Sequence, residues 1–351
     1  MIFDCIVAAS HLRFDGVYQR PHHIVTRLAH RMPVLFVEEP LAGGARDDIR
    51  ESGGISVLRP RRPAPGAGAL DDATVTAVRS WVGSRRPLVW LYTPLMLGLA
   101  DALPDAPLVF DCMDELSAFA FASPALLERE AELLRSADLI FTGGRSLYER
   151  RRALGERVKL YPSGVEFEHF ASARTLAPHP LLPSLAAPIC GYVGVIDERI
   201  DLGCLFALAE RKISVVLVGP VVKMDPAVLP QRANVHFTGH MPYAALPSLL
   251  AGFDVALMPF ARNAATANIS PTKTPEYLAA GKPVVSTPIA DVVADYGEVV
   301  LIADGPQAFA DAAESAAACP APARVAAGIA RARDVGWDAI VARMWADLQR
   351  E

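Results

Sequence analysis

Twice along the chain, short apolar runs rich in β-branched and aromatic residues alternate with segments of helical periodicity, and this alternation restricts the fold more than any other feature. In the first half IFDCIVAA precedes QRPHHIVTRLAHR and PVLFVEE follows; PLVWLY precedes PLMLGLADAL, PLVFDCMD precedes PALLEREAELLRSA, DLIFTG precedes RSLYERRRAL, and VKLYPSG closes the set. Strands alternating with helices of this length imply right-handed βαβ units and a parallel sheet covered on both faces. From 166 to 188 the pattern stops: SARTLAPHPLLPSLAAP shows neither period and reads as a linker. The alternation then restarts with APICGYVG, DLGCLFALAERK, SVVLVGP, NVHFTGH, PYAALPSLLAGF, DVALMPF and EVVLIAD.

The expected fold class is α/β, with two doubly wound Rossmann-like domains facing each other across a cleft. The expected boundaries are 1–165 for the first domain, 166–188 for the linker, 189–335 for the second domain, and 336–351 for a C-terminal helix that crosses back to the first. That last pattern, WDAIVARMWADLQRE, sets Ile340, Met344, Trp345 and Leu348 on one face. A chain of 351 residues, 52% of them apolar, exceeds the size at which one core keeps growing, which favours two domains. Ligands of such folds bind outside the carboxyl ends of the strands.

Composition removes several classes of function. A formal net charge of −5 supplies no field that draws nucleic acid to the surface as a whole. The five cysteines, Cys5, Cys112, Cys190, Cys204 and Cys319, are far apart and mostly in apolar runs, so neither a disulfide framework nor a zinc knuckle is indicated and a reduced cytoplasm fits. MIFDCIVAAS reads as a first strand and not a signal peptide, and no apolar run is long enough to span a bilayer. No complete G-x-G-x-x-G follows a first strand, which disfavours a dinucleotide oxidoreductase. The basic groups Arg61-Arg62, Arg85-Arg86 and Arg150 to Arg152 fall in the first domain, either as solvated faces or as a seat on anionic lipid at the inner face of a membrane. PRRPAPGAG reads as a mobile loop.

The segment ISPTKTPEYLAAGKPVVSTP, residues 269–288, follows a strand that ends at Phe260. Ser270 is an expected N-cap with Pro271 at the first helical position, or Thr274 caps a later start before Pro275. Gly281 suits a left-handed C-cap. Lys273 and Glu276 share one helical face, offset by roughly 4.5 Å along the axis. Either they form an ordinary surface pair, or the helix mouth and the lysine hold a diphosphate while the carboxylate accepts hydrogen bonds from ribose.

The segment PTKTPEYLAAGKPVVSTP resembles the donor-binding signature of GT-B glycosyltransferases, particularly the retaining family 4 and its relatives. FDCMDELSAF, LLEREAELLRSADLIFTGGRSLYERR, KLYPSGVEFEHF, GYVGVIDERIDL, VVLVGP and VHFTGHMPYAALPSLLAGFDVALMPF occur in the order and spacing of one bacterial subfamily. SHLRFDGVYQRPHHIVTRLAHR resembles its first loop and helix, with Tyr18 where tryptophan is more usual. The resemblance implies transfer of a sugar from a nucleotide diphosphate, such as a UDP sugar, to a hydroxyl of a glycan, lipid-linked or small-molecule acceptor, with retention. It assigns donor binding to Gly194, Arg199, Gly219, Gly239, His240, Ser270, Thr272, Lys273 and Glu276. It assigns catalysis to Asp114, Lys273 and Asn268. Relatives commonly carry glutamate eight positions before the helix glutamate; here Asn268 stands there, able to hydrogen-bond a sugar but not to carry charge.

The alternative readings at these positions are structural. Gly194 is a turn glycine or a point of phosphate approach, Arg199 a solvated charge or a diphosphate clamp, Asp114 a helix cap or a group near the sugar. Asp201 is expected to cap the following helix. Arg13, Tyr18, Gln19 and Arg20, in the loop and helix start after the first strand, are the acceptor candidates. Adjacent His22 and His23 point about 100° apart on a helix, with no further ligand spaced to help, so no metal site is expected, and no acidic cluster suggests magnesium. Two rivals share the frame: a nucleotide-sugar epimerase-like enzyme, and a sugar-nucleotide-binding protein without catalysis, for which Asn268 is the argument.

Overall fold

A computed structural model describes residues 1–42, 49–62, 70–119 and 122–349. The chain divides into two compact units, Met1–Pro162 with Trp337–Glu351, and Ser163–Gly336.

The first unit contains β1 (Cys5–Ser10), β2 (Val34–Glu38), β3 (Leu41–Ala42), β4 (Ile49–Ser52), β5 (Ile55–Leu58), β6 (Arg61–Arg62), β7 (Pro87–Leu91), β8 (Leu108–Cys112), β9 (Leu139–Thr142) and β10 (Val158–Leu160). Among the described residues its main sheet has the order β10-β9-β8-β7-β1-β2-β5-β4. Every pairing in it is parallel except β4 with β5, and β3 with β6 forms a separate ribbon. All six residues of β1 are buried, as a strand with helices on both faces requires. The antiparallel hairpin β4–β5 escapes the alternation of apolar runs. Its turn is made by Gly53 and Gly54 at φ +57° and +80°, and the Gly-Gly pair in ESGGIS was the signal for it. The loop expected at PRRPAPGAG falls mostly outside the described residues, as do the side chains of Arg61 and Arg62.

The second unit contains β11 (Ile189–Val193), β12 (Ser214–Val218), β13 (Val235–Gly239), β14 (Val255–Met258), β15 (Val284–Ser286) and β16 (Leu301–Ile302), in the order β13-β12-β11-β14-β15-β16, all parallel. Strand order reverses between β11 and β14, which makes that point the natural ligand crevice of the sheet.

The linker expected at 166–188 is corrected. Its first part forms the helix Phe167–Ala171, and Phe167, Phe170, Ala171, Ala173 and Leu182 are buried in the core of the second unit. Proline and serine content hid a segment whose phenylalanines carry it inward.

The helix Trp337–Gln349 packs into the first unit. Trp337, Ile340, Val341, Met344 and Leu348 lie in one core with Phe3, Ile24, Phe36 and Trp90. Its ring contacts include Trp337 stacked on His23 at 4.8 Å and Trp345 edge-on to Phe3 at 5.7 Å. Tyr161 donates a 2.6 Å hydrogen bond to Asp347. Five buried apolar side chains at about 1.5–3 kcal/mol each make this helix a large part of that unit's core. Among the described residues no helix is long and apolar enough to cross a membrane.

Because Leu348 is fully buried in the last turn, Leu348→Ala is expected to cost about 2–5 kcal/mol in urea denaturation. A change within experimental scatter would show that the last turn holds nothing.

Candidate functional site

Three glycines follow or end the first strands of the second unit, and backbone geometry explains them. The Gly194 amide donates to the Val218 carbonyl at 2.8 Å, and the Gly219 amide donates to the Gly239 carbonyl at 2.9 Å. A Cβ on Gly219, at φ +144°, would stand 1.9 Å from the Gly194 carbonyl oxygen, so only glycine lets the two loops meet. The loops after β11 and β12 are thereby tied together, with Val222 N–H on the Ile196 carbonyl at 2.9 Å. Gly239 has φ +69° with open space around it, and His240 beside it is exposed.

On the other side of the crevice the loop after β14 is held by its own polar groups. Thr266 accepts from the Asn263 amide at 3.1 Å and donates to the Ala261 carbonyl, and Asn263 reaches the Glu198 carbonyl at 2.9 Å. Ala261 N–H donates to the Arg199 carbonyl at 2.8 Å, which joins this loop to the one after β11. Asn268 is half-buried on the final turn of the loop, and Ser270 and Thr272 are half-buried just beyond it.

The helix Lys273–Ala279 starts later than Ser270 and earlier than Thr274. Thr272 stands at the N-cap without a side-chain capping bond, and Pro275 falls inside the first turn. Proline is tolerated there because the first turn's N–H groups have no helical acceptor. Gly281 adopts φ +71° as expected, and Lys282 N–H closes onto the Tyr277 carbonyl at 3.1 Å. Tyr277 fixes the helix against β11: its hydroxyl accepts from the Val193 amide at 2.7 Å and donates to the Val193 carbonyl at 3.3 Å.

Lys273 and Glu276 are not a surface pair. Glu276 is 3% exposed, and its carboxylate accepts a 2.8 Å bond from Lys273 Nζ. Burial pushes the Glu276 pKa above its ordinary value of 4.5, against the opposing pull of Lys273. His169 and Glu166, at the helix Phe167–Ala171, also act on it, the first lowering and the second raising its pKa. Sequence reading missed both, since they sit in the supposed linker.

Arg199 is likewise held by a carboxylate. Its guanidinium makes a two-pronged pair with Asp197 at 2.9 and 2.8 Å. Asp197, two residues before it in DER, was legible but went unread. Asp201 caps the helix Leu202–Ala209 through a 3.1 Å bond from the Cys204 amide.

In the first unit Arg20 is corrected from an acceptor contact to an internal brace. It is 2% exposed, pairs with Asp111 at 2.9 Å and donates to the Tyr161 carbonyl at 2.7 Å. Gln19 stands at the N-cap of the helix Arg20–Ala29, its N–H donating to His22 Nδ1 at 3.0 Å. That bond makes Nδ1 the acceptor and leaves the Nε2–H of His22 for the Arg13 carbonyl, 3.2 Å away. Tyr18 stacks on His22 and meets His23 edge-on. Asp114 is half-buried on the bend after β8.

The groups Arg85-Arg86 and Arg150 to Arg152 have partners within the unit. Arg151 is buried against Glu115 and Glu130, Arg150 pairs with Glu115, Arg152 with Glu149 and Arg86 with Asp4, and Arg85 lies over Trp81. Among the described residues no group of three or more His, Cys, Asp or Glu is placed to hold a metal ion.

Two parallel-sheet units of this topology define the GT-B fold, and comparison with known proteins agrees. Residues 189–318 match the family described as Glycosyl transferases group 1. Over 236 residues the chain is 25% identical to "Putative teichuronic acid biosynthesis glycosyltransferase TuaH" of Bacillus subtilis, a match covering 62% of this chain and 58% of that protein's length. Sucrose-phosphate synthase from Thermosynechococcus elongatus aligns with a TM-score of 0.76 at 17% identity, over 99% of this chain and 98% of its own. Anabaena HepE in complex with UDP and glucose aligns at 0.75 and 16%, over 100% of both chains. The chain has the GT-B fold and resembles the group 1 glycosyltransferases.

The raised pKa of Glu276 makes stability depend on pH with a definite sign. Between 4.5 and the folded-state value, the folded chain keeps a proton that the unfolded chain has lost, so stability falls as pH rises through that window. Glu276→Gln removes this contribution. Urea denaturation from about pH 4 to 7 is expected to show wild type losing ground to Glu276→Gln as pH rises; a flat difference would place the carboxylate in water.

Proposed function

We propose that this chain transfers a sugar from a nucleotide diphosphate donor, a UDP sugar, to a hydroxyl of a glycan, lipid-linked saccharide or small acceptor, with retention of configuration. The observation that carries the reading is the Lys273–Glu276 pair, a half-buried ammonium on a buried carboxylate, at the strand-order reversal of the second unit. A partly exposed lysine held on a buried glutamate there is suited to a ligand that presents an anion and hydroxyls together. The match of 189–318 to group 1 glycosyl transferases and the UDP held by the HepE relative support it.

In this reading Lys273 turns its ammonium from Glu276 to the departing diphosphate, and Glu276 accepts from the ribose hydroxyls. Arg199, already oriented by Asp197, adds charge at the same loop system. Gly194, Gly219 and Gly239 shape the backbone that faces the nucleotide, with His240, Ser270 and Thr272 at its edges. Asn268 orients the transferred sugar. Catalysis is then positioning and stabilisation of the leaving group, with a donor phosphate oxygen taking the acceptor proton. No resident cofactor or metal enters this scheme. Asn268 carries no charge, which favours the binding-protein alternative at that one position.

A thermal-shift screen of UDP, GDP, dTDP and ADP sugars identifies the base, since a ligand at 100 times its dissociation constant stabilises by about 2.7 kcal/mol. Lys273→Ala is expected to weaken UDP and UDP-glucose binding by at least about tenfold in calorimetry, the scale of one charge-assisted bond. Unchanged affinity would sink the assignment. Hydrolysis or rearrangement of the donor with no acceptor present would instead favour the epimerase-like reading.

A further inference from the structure

The first unit carries a group of charges at the carboxyl ends of β1, β2 and β5 that the scheme above leaves unused. Glu38, the last residue of β2, has a fully buried side chain. Its Oε1 accepts from the Phe14 amide at 2.9 Å and from Arg59 Nη2 at 3.2 Å; its Oε2 accepts from Arg13 Nη1 at 3.1 Å and Arg59 Nε at 2.6 Å. Four bonds fill the carboxylate. Burial pushes its pKa up, and the bonds from Arg59, Phe14 and Arg13 more than reverse that, leaving it below its ordinary value. Asp15, in the loop after β1, accepts from Arg50 Nη2 at 2.7 Å and Arg59 Nη2 at 3.3 Å. Glu39 turns its carboxylate away, to the Thr93 hydroxyl at 2.7 Å, and offers Arg13 only its carbonyl, at 2.6 Å.

These bonds occupy one edge of each guanidinium. Among the described residues Arg13 engages Nη1 alone, Arg50 Nη2 alone, and Arg59 Nε and Nη2. Among the described residues the other N–H groups of these three arginines have no protein acceptor, and the side chains are 29%, 38% and 36% exposed respectively. A guanidinium clamped along one edge and open along the other is prepared for two-pronged recognition of a carboxylate or phosphate. Mere bracing of the β4–β5 hairpin would not need a carboxylate buried to zero exposure, with every acceptor site filled, beneath cations that face outward.

We propose that Arg13, Arg50 and Arg59 form an anion subsite that takes a carboxylate or phosphate carried by a saccharide. As acceptor recognition it rests on the transferase reading and narrows it: the acceptor is an acidic sugar or sugar phosphate. As a binding site it needs no donor, so it is tested without nucleotide.

Heteronuclear NMR titration of the full chain with D-glucuronate, D-glucose 6-phosphate and D-glucose measures it directly. At least one acidic sugar is expected to bind about tenfold or more tighter than glucose, and to weaken as salt is raised to about 0.3 M. The stronger of the two acidic probes shows whether the group is carboxylate or phosphate. Arg50→Gln is expected to abolish the preference with the melting temperature unchanged, because among the described residues Arg50 bonds only the exposed Asp15; Arg59→Gln is expected to abolish it as well. Equal affinity for glucose, or a preference that survives both substitutions, reduces the group to a brace of the hairpin and overturns the proposal. A chain that binds UDP-glucose but ignores acidic sugars overturns this inference and leaves the transferase reading intact. A chain that prefers acidic sugars but binds none of the UDP, GDP, dTDP and ADP sugars overturns the transferase reading and upholds the subsite.

Discussion

A parallel sheet can be stable only if both of its faces are covered, and this requirement organises each unit of the chain. Connections must return each parallel strand to the same starting edge, so every strand of the two main sheets except β4 finishes at one edge, where the connecting loops gather. Apolar residues are consumed in strand and helix faces, and the polar residues left over collect in those loops. Lys273, Arg199, Asn268 and the glycines 194, 219 and 239 are at that edge of the second unit for this reason, and Arg13, Asp15 and Glu38 are at that edge of the first.

Most of the fold was legible because continuous apolar runs separated by helical periods allow few other arrangements. What was not legible had local causes. β4 and β5 are short and polar on one side, so no apolar run announced them, and only Gly53-Gly54 marked the turn. The helix Phe167–Ala171 is five residues long and lies beside a proline-rich stretch whose composition outweighed it. Within the site, Lys273 and Glu276 could be read from their spacing, whereas the burial of Glu276 could not, because it depends on Tyr277 fixing the helix to β11. Arg20 failed for the same reason: spacing placed it at a helix start, but its partner Asp111 is 91 residues away.

A single device recurs. Arg20 with Asp111, Arg151 with Glu115 and Glu130, Arg199 with Asp197, Lys273 with Glu276, and Arg13 and Arg59 with Glu38 each place a cation on a carboxylate that is itself nearly inaccessible. Such pairs are weak contributors to stability, because desolvation offsets their attraction. Their effect is on direction: a long, flexible cation is fixed to one orientation before any ligand arrives. Where the cation is fully enclosed, as Arg20 is, the pair serves the interior. Where the cation stays partly exposed, as at Arg59, the same pairing presents a prepared donor.

The placement of the helix Trp337–Gln349 has a further consequence for how the chain is made. The second unit, Ser163–Gly336, is continuous in sequence, and among the described residues its core lies within that span. The first unit is split, and its core includes Leu348. During synthesis from the N-terminus, the strands made first wait longest for their final contact, while the unit made second can close ahead of them. The order of translation and the order of completion are therefore inverted.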